Sequence, residues 1–339
     1  MPTGSCSHPK YDKFHLGSIM AFQEKIDMTK GKTKDGRVLF HRDELKFAFA
    51  ATDTFVGSID PGEVFEVEAE ININDGVLTG LDKKLTEDDV TLPFVNPVTG
   101  PIEVKGAKAG EMLKVTIHKV AVEGIGTTAL WPGLGIFPDW CRQKEFGIKN
   151  HNVMVKDGIV HWSNKLKLPV KPMIGCIATA PINGGLMTVD CDKVGGNLDV
   201  QEVTDGNIVM LPVHHDGAYL YFGDCHAIQG DGECNGMGAI EIAAHLTVEL
   251  EICQRPLEMT WPRIETPTHF CTIGCARPLE DAFRIAFQEM VYWLNADYGL
   301  SFEEAYMLLG QVAEARCTQM VNPKYTYICK ISKDVLNQL

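Results

Sequence analysis

The sequence predicts a mainly β protein, with β-sandwich or barrel-like units joined to a smaller α/β C-terminal part. Three observations lead there. Apolar and polar residues alternate with period two in several stretches, Pro- and Gly-rich segments separate those stretches at short intervals, and helical periodicity is confined to the chain beyond residue 260. Residues 1–45 then form an N-terminal lead-in, 46–260 a β-sandwich or barrel-like region carrying the candidate site, and 261–339 an α/β region with two helices.

The lead-in is polar and Lys-rich without a clear period, and supplies at most an edge strand. In "DPGEVFEVEAEINI", Val67, Ala69, Ile71 and Ile73 alternate with Glu68, Glu70 and Asn72 after a Pro-Gly turn, the pattern of a strand with one buried and one wet face. "KAGEMLKVTIHKV" repeats this grammar, with Leu113, Val115 and Ile117 against Lys114, Thr116 and His118, as does "TDGNIVMLPV". The connectors "LPFVNPVTGPI", "LWPGLGIFPDW" and "TAPINGG" carry turn chemistry. "AIEIAAHLTVELEI" reads as one long strand with Ile240, Ile242, Ala244, Leu246, Val248, Leu250 and Ile252 on one face. Glu241, His245, Glu249 and Glu251 then lie on the other face, toward solvent, and of these Glu241 is nearest the candidate site.

After residue 260 the period changes. Leu279, Ala282, Ile285, Ala286, Met290, Trp293 and Leu294 recur at helical spacing between Pro278 and Gly299, an amphipathic helix with a start and a stop signal. A second helix opens at Ser301 with Glu304 three residues on, the spacing of a capping box.

Composition excludes several function classes. The formal net charge of −14, with no run of Lys or Arg, repels phosphate backbones and anionic lipid heads, so neither nucleic acid nor a membrane surface is an expected partner. The opening "MPTGSCSHPKYDKF" has no apolar core of a signal peptide, and no apolar run is long enough to span a bilayer. The 11 cysteines contain no C-x-x-C pair and read as reduced thiols, and a cytoplasmic location is expected.

The chemistry concentrates in "GDCHAIQGDGE", residues 223–233, directly after the apolar "AYLYF". Residues two apart on a strand point the same way, so Asp224 and His226 project together and are suited to share one ion. Asp231 and Glu233 are also two apart, and Gly230 and Gly232 let the backbone bring them back toward the first pair. Carboxylate oxygen with imidazole nitrogen suits a divalent ion, zinc first and calcium second. Glu233 is the expected general base and acid, with Asp231 as its catalytic companion. Asp199 of "GGNLD" completes the expected metal set of Asp224, His226 and Asp199. His214 in "VHHDG" and Asp53 in "DTF" are further candidates. Alternation turns Cys225 away from the site, so Cys225 and Cys234 read as structural. The alternative is that the whole stretch is structural, since Gly-Asp-Gly is common in tight turns.

The run "PVHHDGAYLYFGDCHAIQGDGE" with the following "AIE" resembles the central signature of the acetamidase/formamidase family. The similarity extends through "NPVTGPIEVKGAKAGEMLKVTI", "KPMIGCIATAP", "GGNLD", "ARPLEDAFRIAF" and "LSFEEAYMLL". The resemblance implies hydrolysis of a short amide to a carboxylate and ammonia, a divalent metal, a homodimer or larger assembly, and a β-rich fold. It carries over Asp224, His226, Gln229, Asp231, Glu233, Glu241, Asn197 and Asp199 as matching positions. Gln229, or a backbone N–H in the glycine turn, is the expected donor to the amide oxygen. The chain departs from the family in "CNGMG", which puts Asn235 and Met237 at the pocket wall. It departs again in "EININD", where Asn72, Asn74 and Asp75 stand near an expected Asp. A cyclic-amide (lactam) hydrolase and a non-catalytic β module binding a metal or small ligand are the competing functions.

Overall fold

A computed structural model of the chain describes residues 31–73, 76–141 and 147–339. The mainly β expectation holds: two large sheets dominate, and the two longest helices lie near the C-terminus. The period-two stretches pair in the nine-stranded sheet, where Val64–Ala69, Ala244–Gln254, Glu111–Val122 and Ile208–Pro212 are successive neighbours. Leu39–Phe40 forms its edge, parallel to Val64–Ala69, so the lead-in does supply an edge strand. In the twelve-stranded sheet, Leu220–His226 lies between Met173–Ala178 and Gly236–Glu241 and also pairs with Val98–Val104.

The two sheets share one apolar core. Val67, Leu113, Val115, Ile117, Leu246 and Val248 come from the first, and Ile102, Ile174, Ile177, Leu220, Phe222 and Cys225 from the second. Burying such side chains stabilises by about 1.5–3 kcal/mol each, which is what sets the register of every strand that crosses this layer.

Two expectations change. "AIEIAAHLTVELEI" is not one strand: Gly236–Glu241 belongs to one sheet, Ala244–Gln254 to the other, and the chain crosses between them at Ile242 and Ala243. Apolar alternation continues through the crossing because both segments face buried surroundings, so period alone does not reveal the break. Residues beyond 260 also do not leave the β body. Arg263–Glu265 pairs with Ile208–Pro212, and His269–Ala276, Tyr325–Ser332 and Glu314–Gln319 extend the same sheet. The expected boundary marks a change in composition, while the sheet runs across it.

The helices match their sequence signals. Leu279–Tyr298 begins after Pro278 and ends at Gly299, which has φ 68°, the left-handed value glycine tolerates. It buries Ala282, Ala286, Met290, Trp293 and Leu294, together with Glu289. Phe302–Val312 starts with the reciprocal Ser301–Glu304 box.

Candidate metal centre

Strand Leu220–His226 carries the first two site residues. Opposite it, Glu241 is the cross-strand partner of His226, so the two side chains share a face and His226 Nε2 lies 3.2 Å from Glu241 Oε2. His226 Nε2 is also 3.5 Å from Asp224 Oδ1. Cys225, between them, points into the shared core as alternation requires. On the other side, Gly175 sits opposite Asp224, between the pairs Ile174–Cys225 and Cys176–Gly223. A Cβ there would come within 2.6 Å of Asp199 Oδ1 and 2.7 Å of Asp224 Oδ2. The glycine therefore makes room for two carboxylates to meet.

Four residues of the cluster have left-handed backbone: Asn96 (φ 56°), Asp199 (φ 48°), Asp224 (φ 53°) and Glu233 (φ 46°). Such conformations cost of order 1–3 kcal/mol each for residues with a Cβ and persist where the surroundings over-determine them. Around Asn96, Asp199 and Asp224 the surroundings are amides. Asn72 Nδ2 donates to Asp224 Oδ1 (3.2 Å) and Asn96 Nδ2 to Asp224 Oδ2 (3.0 Å). Asn322 Nδ2 donates to Asp199 Oδ2 (2.7 Å). The Asn197 amide is satisfied with its nitrogen 2.7 Å from Asp224 Oδ2 and its oxygen accepting from Asn96 and Asn322.

Gln229 fixes the imidazole. Its Nε2 donates to the backbone carbonyls of Asp199 and Thr318, both at 3.0 Å, which turns Oε1 toward His226 Nδ1 at 2.9 Å. His226 Nδ1 must then carry a proton, and Nε2 is left facing the carboxylates. With both N–H groups engaged, Gln229 has no donor left for an amide oxygen, so its expected role is corrected from oxyanion donor to positioning residue.

The electrostatics are severe. Asp199, Asp224, Glu233, Glu241 and His226 are all buried, and among the described residues none of these carboxylates pairs with Lys or Arg. Burial pushes Asp199 up to about 6, helped by Asp224, and burial pushes Glu241 up to about 7 against the opposing pull of His226. Glu233 is raised well above the carboxylate range, by burial first and then by Asp199. Burial alone would lower His226, but Glu241 and Asp224 raise it well above its ordinary value. Four carboxylates against a single imidazole describe a place that demands positive charge. His226 Nε2, Glu233 Oε2 and Glu241 Oε2 are buried without an aligned hydrogen-bond partner. One ligand atom each from Asp199, Asp224 and His226 lies within 4.8 Å of the others, close enough to converge on one cation.

The cluster forms part of the lining of a cavity of about 680 Å³, which Asn72, Asn96, Asn197, Asp224, Glu233 and Asn322 reach with polar groups. Met237 and Tyr325 contribute to its walls. Asn235 bonds Thr128 and the Ala129 carbonyl.

The structure thus brings together Asp199, Asp224, His226, Gln229, Glu233, Glu241 and Asn197. Three candidates fall elsewhere. The Asp231 carboxylate is 62% exposed and 2.9 Å from Arg316 Nε, because the turn that buries Glu233 leaves Asp231 on its outer side. Asp53 accepts from the Tyr221 hydroxyl at 3.3 Å. His214 is half-buried, its pKa lowered by burial and by Arg255. None of the three lines the cavity. Sequence reasoning missed Asn96, Asn322 and Cys176. The two asparagines share the tripeptide Val-Asn-Pro, a signal visible at 95–97 and 321–323. Cys176 is fully buried, and burial reinforced by Asp224 and Asp199 holds its thiol protonated. Of the "EININD" residues, Asn72 contacts Asp224, while Asn74 and Asp75 lie outside the described residues.

Fold and site together define a class: a two-sheet β protein with a buried carboxylate–imidazole centre at one cavity. The sequence profile of the acetamidase/formamidase family matches residues 51–184 and 178–338. An acetamidase of Mycolicibacterium smegmatis is 26% identical over 260 residues, 59% of this chain and 64% of that protein, so the chain spans less than two thirds of that relative. The crystal structure of an acetamidase from Bacillus halodurans superposes with TM-score 0.83 at 30% identity, covering 89% of this chain and 99% of that one. An acetamidase from Yersinia enterocolitica gives TM-score 0.82 at 32% identity over 94% and 99%. The chain belongs to the acetamidase/formamidase family.

Proposed function

We propose that this protein hydrolyses amides to a carboxylate and ammonia at the buried centre, using a divalent cation held by Asp199, Asp224 and His226. The observation that carries this reading is His226 Nε2, fully buried, set toward carboxylates by Gln229 and left without an aligned partner. The donor set of oxygen and nitrogen fits zinc. When bound, such an ion lowers the pKa of water and polarises a carbonyl oxygen.

The chain's own residues do the rest. Asn72, Asn96, Asn197 and Asn322 hold the two aspartates in place, and Gly175 lets them approach. Glu233 lines the cavity, keeps its buried Oε2 without an aligned partner and has a raised affinity for protons. It is suited to take a proton from water and pass it to the departing nitrogen. Glu241 lies beside His226 and steadies the imidazole.

Ammonia release from formamide, acetamide and propionamide, together with bound metal, tests the proposal. Asp224→Asn and His226→Ala should lose ion and turnover together while keeping the far-ultraviolet spectrum of the parent. Glu233→Gln should keep the ion and lose about 10²–10⁴-fold in kcat. Full activity in metal-free protein would reject the reading. The same reading takes a homodimer or larger assembly and a cytoplasmic location. The ten free cysteines among the described residues fit a reducing compartment, and sedimentation measures the assembly.

A further inference from the structure

The cavity is larger than the simplest amides require. Its volume is about 680 Å³. A four-heavy-atom amide fills on the order of 100 Å³ if each heavy atom takes about a water's share of liquid volume. The extra space is mostly apolar, with Leu92, Trp131, Met237 and Val321 among its walls, but it also holds a cation. Arg277 lines the cavity, and its guanidinium carbon lies 4.6 Å from the centroid of the Tyr325 ring. Among the described residues Arg277 makes no ion pair. Stacking on an aromatic face holds the planar fork without using its N–H donors.

One wall links this cation to the centre. Asn322, bonded to Asp199, is three residues before Tyr325, and Tyr325 pairs with Ala276, the neighbour of Arg277. Three residues of extended chain span at most about 11 Å. The cavity lining therefore carries carboxylates, a guanidinium and apolar side chains, and the wall from Asn322 to Tyr325 links the acidic centre to Arg277 over a short stretch of chain. An anionic substituent is repelled by the buried carboxylates and attracted by Arg277, so a molecule carrying an amide at one end and a carboxylate at the other has one favoured orientation. In that orientation the amide meets Glu233.

We propose that the cavity takes the monoamide of a short dicarboxylic acid, with Arg277 receiving the distal carboxylate. This rests on the amidase reading above. The test compares kcat/KM for glutaramate and for pentanamide, a neutral amide of the same chain length, in the parent protein, Arg277→Met and Arg277→Lys. The parent should prefer glutaramate by about tenfold to a hundredfold, the range of a hydrogen bond between charged groups. Arg277→Met should bring the ratio close to one, chiefly through KM for glutaramate, and Arg277→Lys should retain part of the preference. Equal use of the two amides by the parent, or an undiminished preference in Arg277→Met, overturns the assignment and leaves the amidase reading intact. No turnover of either amide or of acetamide overturns both.

Discussion

Gln229 shows how one uncharged side chain sets the chemistry of a charged site. Its nitrogen is held by two carbonyls and its oxygen by His226, so a single amide fixes both the tautomer and the tilt of the imidazole. Gln229→Leu removes that control without changing net charge. We expect metal affinity to fall about 10–100-fold, measured by calorimetric titration, with the fold retained. At this scale the sequence was partly legible. Asp224 and His226 stand two apart on a strand and do meet. Asp231 and Glu233 are also two apart and do not, because they lie in a turn outside any strand, where alternation no longer orders side chains. Asn96 and Asn322 were illegible as site residues, since their role depends on chain segments that meet only in the folded state.

The strands Met173–Ala178 and Leu220–His226 form the scaffold on which ligand positions depend. Their contact admits two facing aspartates because residue 175 has no side chain. Gly175→Ala places a methyl group against Asp199 and Asp224, and overpacking of this kind costs about 1–3 kcal/mol. Urea unfolding should show that loss, and bound metal should fall with it; a variant that binds metal like the parent would mean that the carboxylates can separate freely. Elements were legible where their signals are local. The helix Leu279–Tyr298, with Pro278 before it and Gly299 after it, and the Ser301–Glu304 box are set by residues within a few positions of one another. The crossing at Ile242 and Ala243 was not, because which sheet a strand joins is decided by distant partners. Alternation alone therefore assigns Glu241 to a wet face, whereas the change of sheet turns it toward His226.

Across the whole molecule, the buried acids cost stability, and the proposed cation would offset that cost. An ion that binds only the folded state adds about 2.7 kcal/mol when its free concentration stands a hundredfold above Kd. Chelation should therefore lower Tm by several degrees, and titrating the metal back should restore it in proportion to the logarithm of its concentration. An unchanged Tm would mean that protons alone compensate the carboxylates. The β class was legible from period and turn density, but the continuity of the nine-stranded sheet past residue 260 was not, because composition reports local patterning and not pairing. That continuity matters to the site. The carbonyl of Thr318 accepts from Gln229, Met320 donates to the Gly232 carbonyl, and Asn322 holds Asp199. A chain emerging from the ribosome thus carries every proposed ion ligand long before it carries Thr318 and Asn322, which complete their support. Synthesis halted short of residue 318 should yield a product inert toward substrate, and competence should require residues 318–322.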